Sequence, residues 1–349
     1  MERRTIQGAP AVGPMMTSVC EGIEAMHRLF FMALIVIATP LVAASPLTKS
    51  EIDAPGPLGP LKGTLFTSAS AHAPVVLIVP GSGPTDRDGN GAGGLNASTY
   101  RLLAEGLAAR GIGSLRIDKR GMFGSSGAVA DANAVTLDDY ARDVHTWIAA
   151  LLERTETRCV WVLGHSEGGL VGLVAAQRSD DICGLILLST PGRPLGAVLR
   201  EQLRANPANA PILDQALSAI ASLEGGHRVD PASLNPALLP LFRPEVQGFL
   251  INAFTYDPAK LIGAVLVPVL ILQGDRDIQV SVDDAKRLKW AAQSATLKIV
   301  AHANHVWKTV ATDDLGANLA TYADPSLPLA SGLADEVGAF VTQIRVSGH

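Results

Sequence analysis

Val160-Trp161-Val162-Leu163, then Gly164-His165-Ser166-Glu167-Gly168-Gly169, then an apolar or small run from Leu170 to Ala176 decide the fold of this chain. The first piece is short, apolar and β-branched, so it reads as a buried strand. The last is apolar on every side, which marks a buried helix. Between them a Gly-x-Ser-x-Gly turn must reverse the chain within a few residues. A turn that tight brings backbone against backbone at the positions flanking Ser166, where glycine avoids the clash. The Ser166 hydroxyl is then held above the sheet edge, at a helix N-terminus whose partial positive charge favours an oxyanion.

Outward from this turn, strand and helix patterns alternate. Upstream lie strand-like runs at residues 61–67, Val75–Val79 and 114–117. A helix carries Tyr100, Leu103 and Leu107 on one face and stops at Gly111. Another starts at Thr136, with Asp139 three residues on as a capping pair. Downstream, residues 185–188, 267–272 and 296–300 read as strands. A helix capped by Ser281 with Asp284, and a last helix carrying Leu333, Val337, Phe340 and Ile344, complete the order. Alternation of this kind predicts an α/β fold with a mostly parallel sheet covered by helices on both faces. It is interrupted at residues 192–262, which hold helical stretches and no convincing strand. Such an insertion sits above the carboxyl ends of the strands, where open sheets bind ligands.

A serine hydroxyl needs a base, and the base needs an orienting acid. With a strand–turn–helix serine the chain order is Ser, acid, His. Of eight histidines only His227, His302, His305 and His349 follow Ser166. His227 falls in the insertion and His349 is terminal, leaving His302 and His305 in the loop after the strand at 296–300. The acid belongs after the strand at 267–272, where Gln273-Gly274-Asp275-Arg276-Asp277 offers two carboxylates. An oxyanion needs two backbone N–H donors. Glu167, next after the serine, supplies one. Ser82, in Pro80-Gly81-Ser82-Gly83 after an earlier strand, supplies the other.

These pieces together resemble the α/β-hydrolase superfamily over residues 57–346, and most closely its bacterial esterase and serine-aminopeptidase-like branch. The resemblance rests on Gly81-Ser82-Gly83-Pro84 with Asp86-Arg87-Asp88-Gly89, on Leu115-Arg116-Ile117-Asp118-Lys119-Arg120-Gly121 and on Gly164 to Gly169. Gly274-Asp275-Arg276-Asp277-Ile278-Gln279-Val280 and Asn304-His305-Val306-Trp307-Lys308 complete it. It implies Asp277 as the acid, His305 as the base and a helical lid at residues 192–262. It implies a carboxylic ester hydrolase working through an acyl-enzyme, with an exopeptidase for small N-terminal residues as the alternative. The exopeptidase needs a carboxylate for the substrate ammonium. The insertion offers Glu201, Asp214, Glu224, Asp230, Glu245 and Asp257. A non-catalytic binding protein on the same fold is the third reading, disfavoured by an intact Ser, Asp and His in the right order.

Composition bounds the partners. The 349 residues are 48% apolar and 17% charged, enough for a large core, and the net charge of −5 gives nucleic acid no electrostatic footing. The expected substrate is a small-molecule ester or a small peptide. No cofactor and no metal are expected. Asp86-Arg87-Asp88-Gly89-Asn90-Gly91 copies the first half of a calcium loop, but Ala97 stands at the twelfth position, where a bidentate Glu is needed. Residues 29–43 are apolar apart from Thr39 and Pro40, follow His27-Arg28, and end at the small residues Val42-Ala43-Ala44. That pattern predicts a signal peptide (residues 1–44, with Met1 or Met26 as the start), a hydrolase domain at 45–349 and a secreted or periplasmic product with no membrane span. Cleavage removes Cys20. Cys159 and Cys183 remain, near the starts of successive strands that are expected to be neighbours, so a disulfide between them is an open option.

Overall fold

The computed structural model describes residues 48–343 except 69, 71 and 179. The expected signal segment, Ile344 and His349 lie outside the described residues. Eight strands form one sheet: β1 (Thr48–Ala54), β2 (Leu61–Thr67), β3 (Val75–Val79), β4 (Gly113–Ile117), β5 (Val160–His165), β6 (Ile182–Leu188), β7 (Val269–Gly274) and β8 (Thr296–Val300). Their order across the sheet is β1-β2-β4-β3-β5-β6-β7-β8. β2 runs antiparallel to both of its neighbours, and every pair from β4 to β8 is parallel. This is the expected α/β-hydrolase architecture.

Eleven α-helices are described: α1 (Thr99–Ala108), α2 (Leu137–Arg154), α3 (Glu167–Ala175), α4 (Leu195–Ala205), α5 (Leu213–Glu224), α6 (Leu239–Phe242), α7 (Pro244–Phe254), α8 (Pro258–Gly263), α9 (Val282–Ala291), α10 (Leu315–Ala320) and α11 (Leu333–Gln343). The central strands are apolar throughout because both faces are covered. Leu77, Val162, Leu185 and Ile271 pack toward α2 and α3. The alternate residues Val76, Trp161, Ile186 and Leu270 pack toward α1 and α11. Both expected capping pairs form: Thr136 with Asp139 opens α2, and Ser281 with Asp284 opens α9.

Between β6 and β7 lie α4 to α8, with a core of their own built on Ile220, Leu223, Leu238, Phe242 and Leu250. Asp284 anchors the entry to this insertion. Its carboxylate accepts from Gly192 N–H (3.1 Å) and from Arg193 Nε (2.7 Å) and Nη2 (2.8 Å).

Several details differ from the sequence reading. β1 was not expected: Thr-Lys-Ser-Glu-Ile-Asp-Ala is an exposed edge strand whose ladder partner β2 supplies its order, so it carries little apolar signal. β7 starts two residues later than expected, at Val269. Proline 268 has no N–H to donate, though its carbonyl accepts from Leu185 N–H (2.9 Å). α10 is a short surface helix whose only buried member is Asn318. Cys159 and Cys183 are joined: they form a disulfide across the neighbouring strands β5 and β6.

Candidate active site

Ser166 stands at the β5–α3 turn with φ 54° and ψ −120°, a backbone that L-residues rarely adopt. The flanking glycines make the turn possible. A Cβ on Gly164 would overlap the Gly168 carbonyl, and one on Gly168 would overlap the carbonyls of Val79 and Pro80. Ser166 N–H is fixed to Leu188 O (2.9 Å), which points the side chain away from the sheet. The backbone N–H groups of Ser82 and Glu167 donate to no protein acceptor among the described residues. Both residues face the same cavity as Ser166.

The sequence left two acids and two histidines open, and the geometry separates them. His305 is buried, and its Nδ1 lies 2.9 Å and 3.1 Å from the two oxygens of Asp277. An ionised carboxylate only accepts, so Nδ1 carries the proton and Nε2 is the basic nitrogen. Asp277 is saturated. Oδ1 also accepts from Gln279 N–H (2.8 Å) and Val280 N–H (2.9 Å), and Oδ2 from Gln273 Nε2 (3.1 Å). Burial alone would raise this carboxyl, but His305 and the backbone donors outweigh it and hold the group below the usual carboxylate range. Asp275 instead accepts from His302 N–H (2.6 Å), and His302 is exposed. That pair shapes the loop.

The same loop is locked from behind. Asn304 Nδ2 donates to Asn318 Oδ1 (2.9 Å) and Thr321 Oγ1 (2.7 Å), while its Oδ1 accepts from Lys308 N–H (2.9 Å). A second network, unrecognised from sequence, joins the three site segments. Gly81 N–H donates to Tyr100 Oη (3.0 Å), Tyr100 Oη sits 2.8 Å from His165 Nδ1, and His165 Nε2 sits 2.9 Å from the His305 carbonyl. A carbonyl accepts only, so Nε2 bears the hydrogen and Tyr100 donates to Nδ1. Burial, with the neighbouring His305, pushes the His165 imidazole down to about 3, so it stays neutral. Burial raises the Tyr100 hydroxyl, which keeps its proton. The network therefore holds the three segments in position.

Two cavities meet at Ser166. The larger, about 330 Å³, runs beneath the insertion and is walled by Leu195, Val198, Leu241, Phe249 and Leu250 among others. The smaller, about 160 Å³, is walled by Thr99, Tyr100, His305 and Tyr322. Ser82, Ser166 and Gln279 belong to both. No hydrogen bond joins Ser166 Oγ to His305 among the described residues, but the two face the same small cavity. None of the six insertion carboxylates borders the large cavity. Glu201 pairs with Arg193, and Glu224 with Arg200.

The loop that imitates a calcium site has other work for its carboxylates. Asp86 Oδ1 accepts from the N–H groups of Asp88 and Asn90, both at 2.8 Å. Arg87 forks onto Asp118 and Asp88 pairs with Arg116, so the loop is cross-braced to the end of β4.

Residues 93–225 match the family model described as serine aminopeptidase, S33. Esterase EstD of Thermotoga maritima is 29% identical over 216 residues, covering 62% of this chain and 49% of that protein. The chain thus spans about half the length of this curated relative. Among solved structures, Est1E from Butyrivibrio proteoclasticus is similar with a TM-score of 0.53 at 17% identity, covering 84% of this chain and 99% of the other. Proline iminopeptidase of Mycobacterium smegmatis gives 0.54 at 17% identity, with 84% and 98% covered. At that identity the structural likeness speaks for the fold alone.

Proposed function

We propose that this chain, a member of the α/β-hydrolase superfamily, hydrolyses carboxylic esters through an acyl-enzyme on Ser166. The observation that carries the reading is the meeting, at one strained serine, of a saturated Asp277–His305 pair and two unpartnered backbone donors. Ser166 attacks the ester carbonyl while His305 Nε2 takes its proton. Asp277 keeps Nδ1 protonated and steadies the imidazolium. The N–H groups of Ser82 and Glu167 receive the oxyanion. His305 then returns the proton to the departing alcohol oxygen, and water repeats the cycle on the acyl-enzyme.

That last proton assigns the cavities. The alcohol must leave beside His305, which borders only the smaller cavity, so the acyl chain lies in the larger apolar one under the insertion. The insertion then serves as the lid. None of the insertion's carboxylates borders that cavity to meet a substrate ammonium, which favours esters over peptides with a free N-terminus. Along a series of p-nitrophenyl esters from acetate to octanoate, kcat/KM is expected to rise about fourfold per methylene until the cavity fills, at roughly 0.8 kcal/mol per buried methylene. A profile that peaks at acetate would put the acyl chain elsewhere.

Export belongs to the same proposal, supported by the residue pattern before Ala44 and by the Cys159–Cys183 pair. The intact mass of the native protein, taken without reductant, is expected to match a chain starting at Ser45 and lighter than its dithiol form by two hydrogens. A chain starting at Met1 or Met26, or two free thiols, would contradict it. Reduction is expected to cost about 3 kcal/mol of stability for a closed loop of this length.

A further inference from the structure

Lys119 follows β4 and is not among the groups that would perform the chemistry, yet its side chain is only 2% exposed. A buried ammonium is costly unless it is fully partnered. Its neighbour Arg120 meets that requirement in an ordinary way, forking onto Asp143 of α2. Lys119 does not turn to that carboxylate. Its Nζ donates to Gly81 O at 2.6 Å and to Glu167 Oε1 at 3.0 Å, with the Tyr140 ring 5.0 Å away.

Those two acceptors belong to the two oxyanion donors. The Gly81 carbonyl and the Ser82 N–H are opposite ends of one planar peptide unit. An ammonium on the oxygen therefore fixes the direction of the N–H. It also draws electron density toward the oxygen, which makes the N–H a stronger donor. The preceding peptide is held as well, because Gly81 N–H is bonded to Tyr100 Oη. On the other side, the same ammonium anchors the side chain of Glu167, whose N–H is the second donor. We propose that Lys119 is a positioning residue of the oxyanion hole, aiming and polarising the Gly81–Ser82 peptide while tying it to Glu167. The proposal rests on the esterase reading of Ser166.

The test uses Lys119→Met, which removes charge and donor, and Lys119→Gln, which keeps a donor without the charge and carries the test if the methionine variant does not fold. Active sites are counted with a fluorophosphonate, so misfolded protein does not enter the rate. The expected result is a fall in kcat of about 10- to 100-fold for Lys119→Met, and a smaller one for Lys119→Gln, with KM within about twofold. The ceiling is the ~10²–10³ lost when an oxyanion donor itself is removed. A trifluoromethyl ketone, whose adduct carries a real oxyanion, is expected to bind more weakly by the same factor as the loss in kcat. A residue that only supports packing would lower thermal stability and the count of active sites without that parallel loss. Folded Lys119→Gln with kcat and inhibitor affinity both within twofold of wild type overturns the proposal, provided the wild type cleaves esters and is labelled on Ser166. A wild type that does neither overturns the esterase reading, and this inference with it.

Discussion

Ser166→Ala is expected to lower kcat/KM for any ester the protein cleaves by at least ~10⁴-fold, about 5 kcal/mol of transition-state stabilisation. The variant is expected to fold with nearly unchanged thermal stability. The Ser166 hydroxyl makes no hydrogen bond to protein among the described residues, and the turn is fixed by the Ser166 N–H bond to Leu188 and by the two flanking glycines. Alanine inherits the same backbone angles, so the strain at φ 54° is neither relieved nor increased. Without the hydroxyl no covalent intermediate can form, and the oxyanion donors alone retain only the small residual rate such sites show over water. Fluorophosphonate labelling should vanish in parallel. A variant that keeps more than about a tenth of wild-type kcat/KM would remove Ser166 from the reaction.

The parts that were legible in the sequence are those written in local pattern. Strands buried on both faces must be apolar at every position, so β3, β5 and β6 announce themselves, and capping pairs such as Thr136 with Asp139 span only three residues. Ser166 was legible for the same reason, since its turn constrains the residues on either side of it. The acid and the base needed chain order and the resemblance together. In the structure Asp277 and His305 lie within hydrogen-bond distance of each other. What stayed hidden depends on contacts between distant segments. Tyr100 looked like one more apolar position on α1, and its bond to His165 crosses 65 residues. Lys119 lies 38 residues from Gly81 and 48 from Glu167, and no periodicity reports that meeting. Gln273 falls inside a strand, where the hydrogen bond its side-chain amide donates to Asp277 leaves no trace in the hydrophobic pattern. β1 was hidden for the opposite reason, because its order comes from a ladder at the sheet edge and not from burial.

Asp277 and Asp275 lie two residues apart, and asparagine at each is expected to give very different enzymes. The Asp277 carboxylate accepts four hydrogen bonds, from Gln279 N–H, Val280 N–H, Gln273 Nε2 and His305 Nδ1. An asparagine there has one oxygen and one NH₂ group. If the oxygen faces the two backbone donors, the NH₂ faces His305 and Gln273. His305 Nδ1 must then become the acceptor, and its proton moves to Nε2, the nitrogen needed to take the proton from Ser166. The opposite orientation sets NH₂ against two backbone N–H groups, leaving buried donors unpaired. The first arrangement is the less costly, so Asp277→Asn should fold and lose ~10⁴-fold in kcat, as expected for a base held in the wrong tautomer. Asp275→Asn keeps an oxygen for the single N–H of His302. It should cost less than about tenfold in kcat and about 1 kcal/mol in stability. The two variants are to be compared on one ester at one pH. If Asp275→Asn proves the more damaging, the imidazole is held by the other carboxylate.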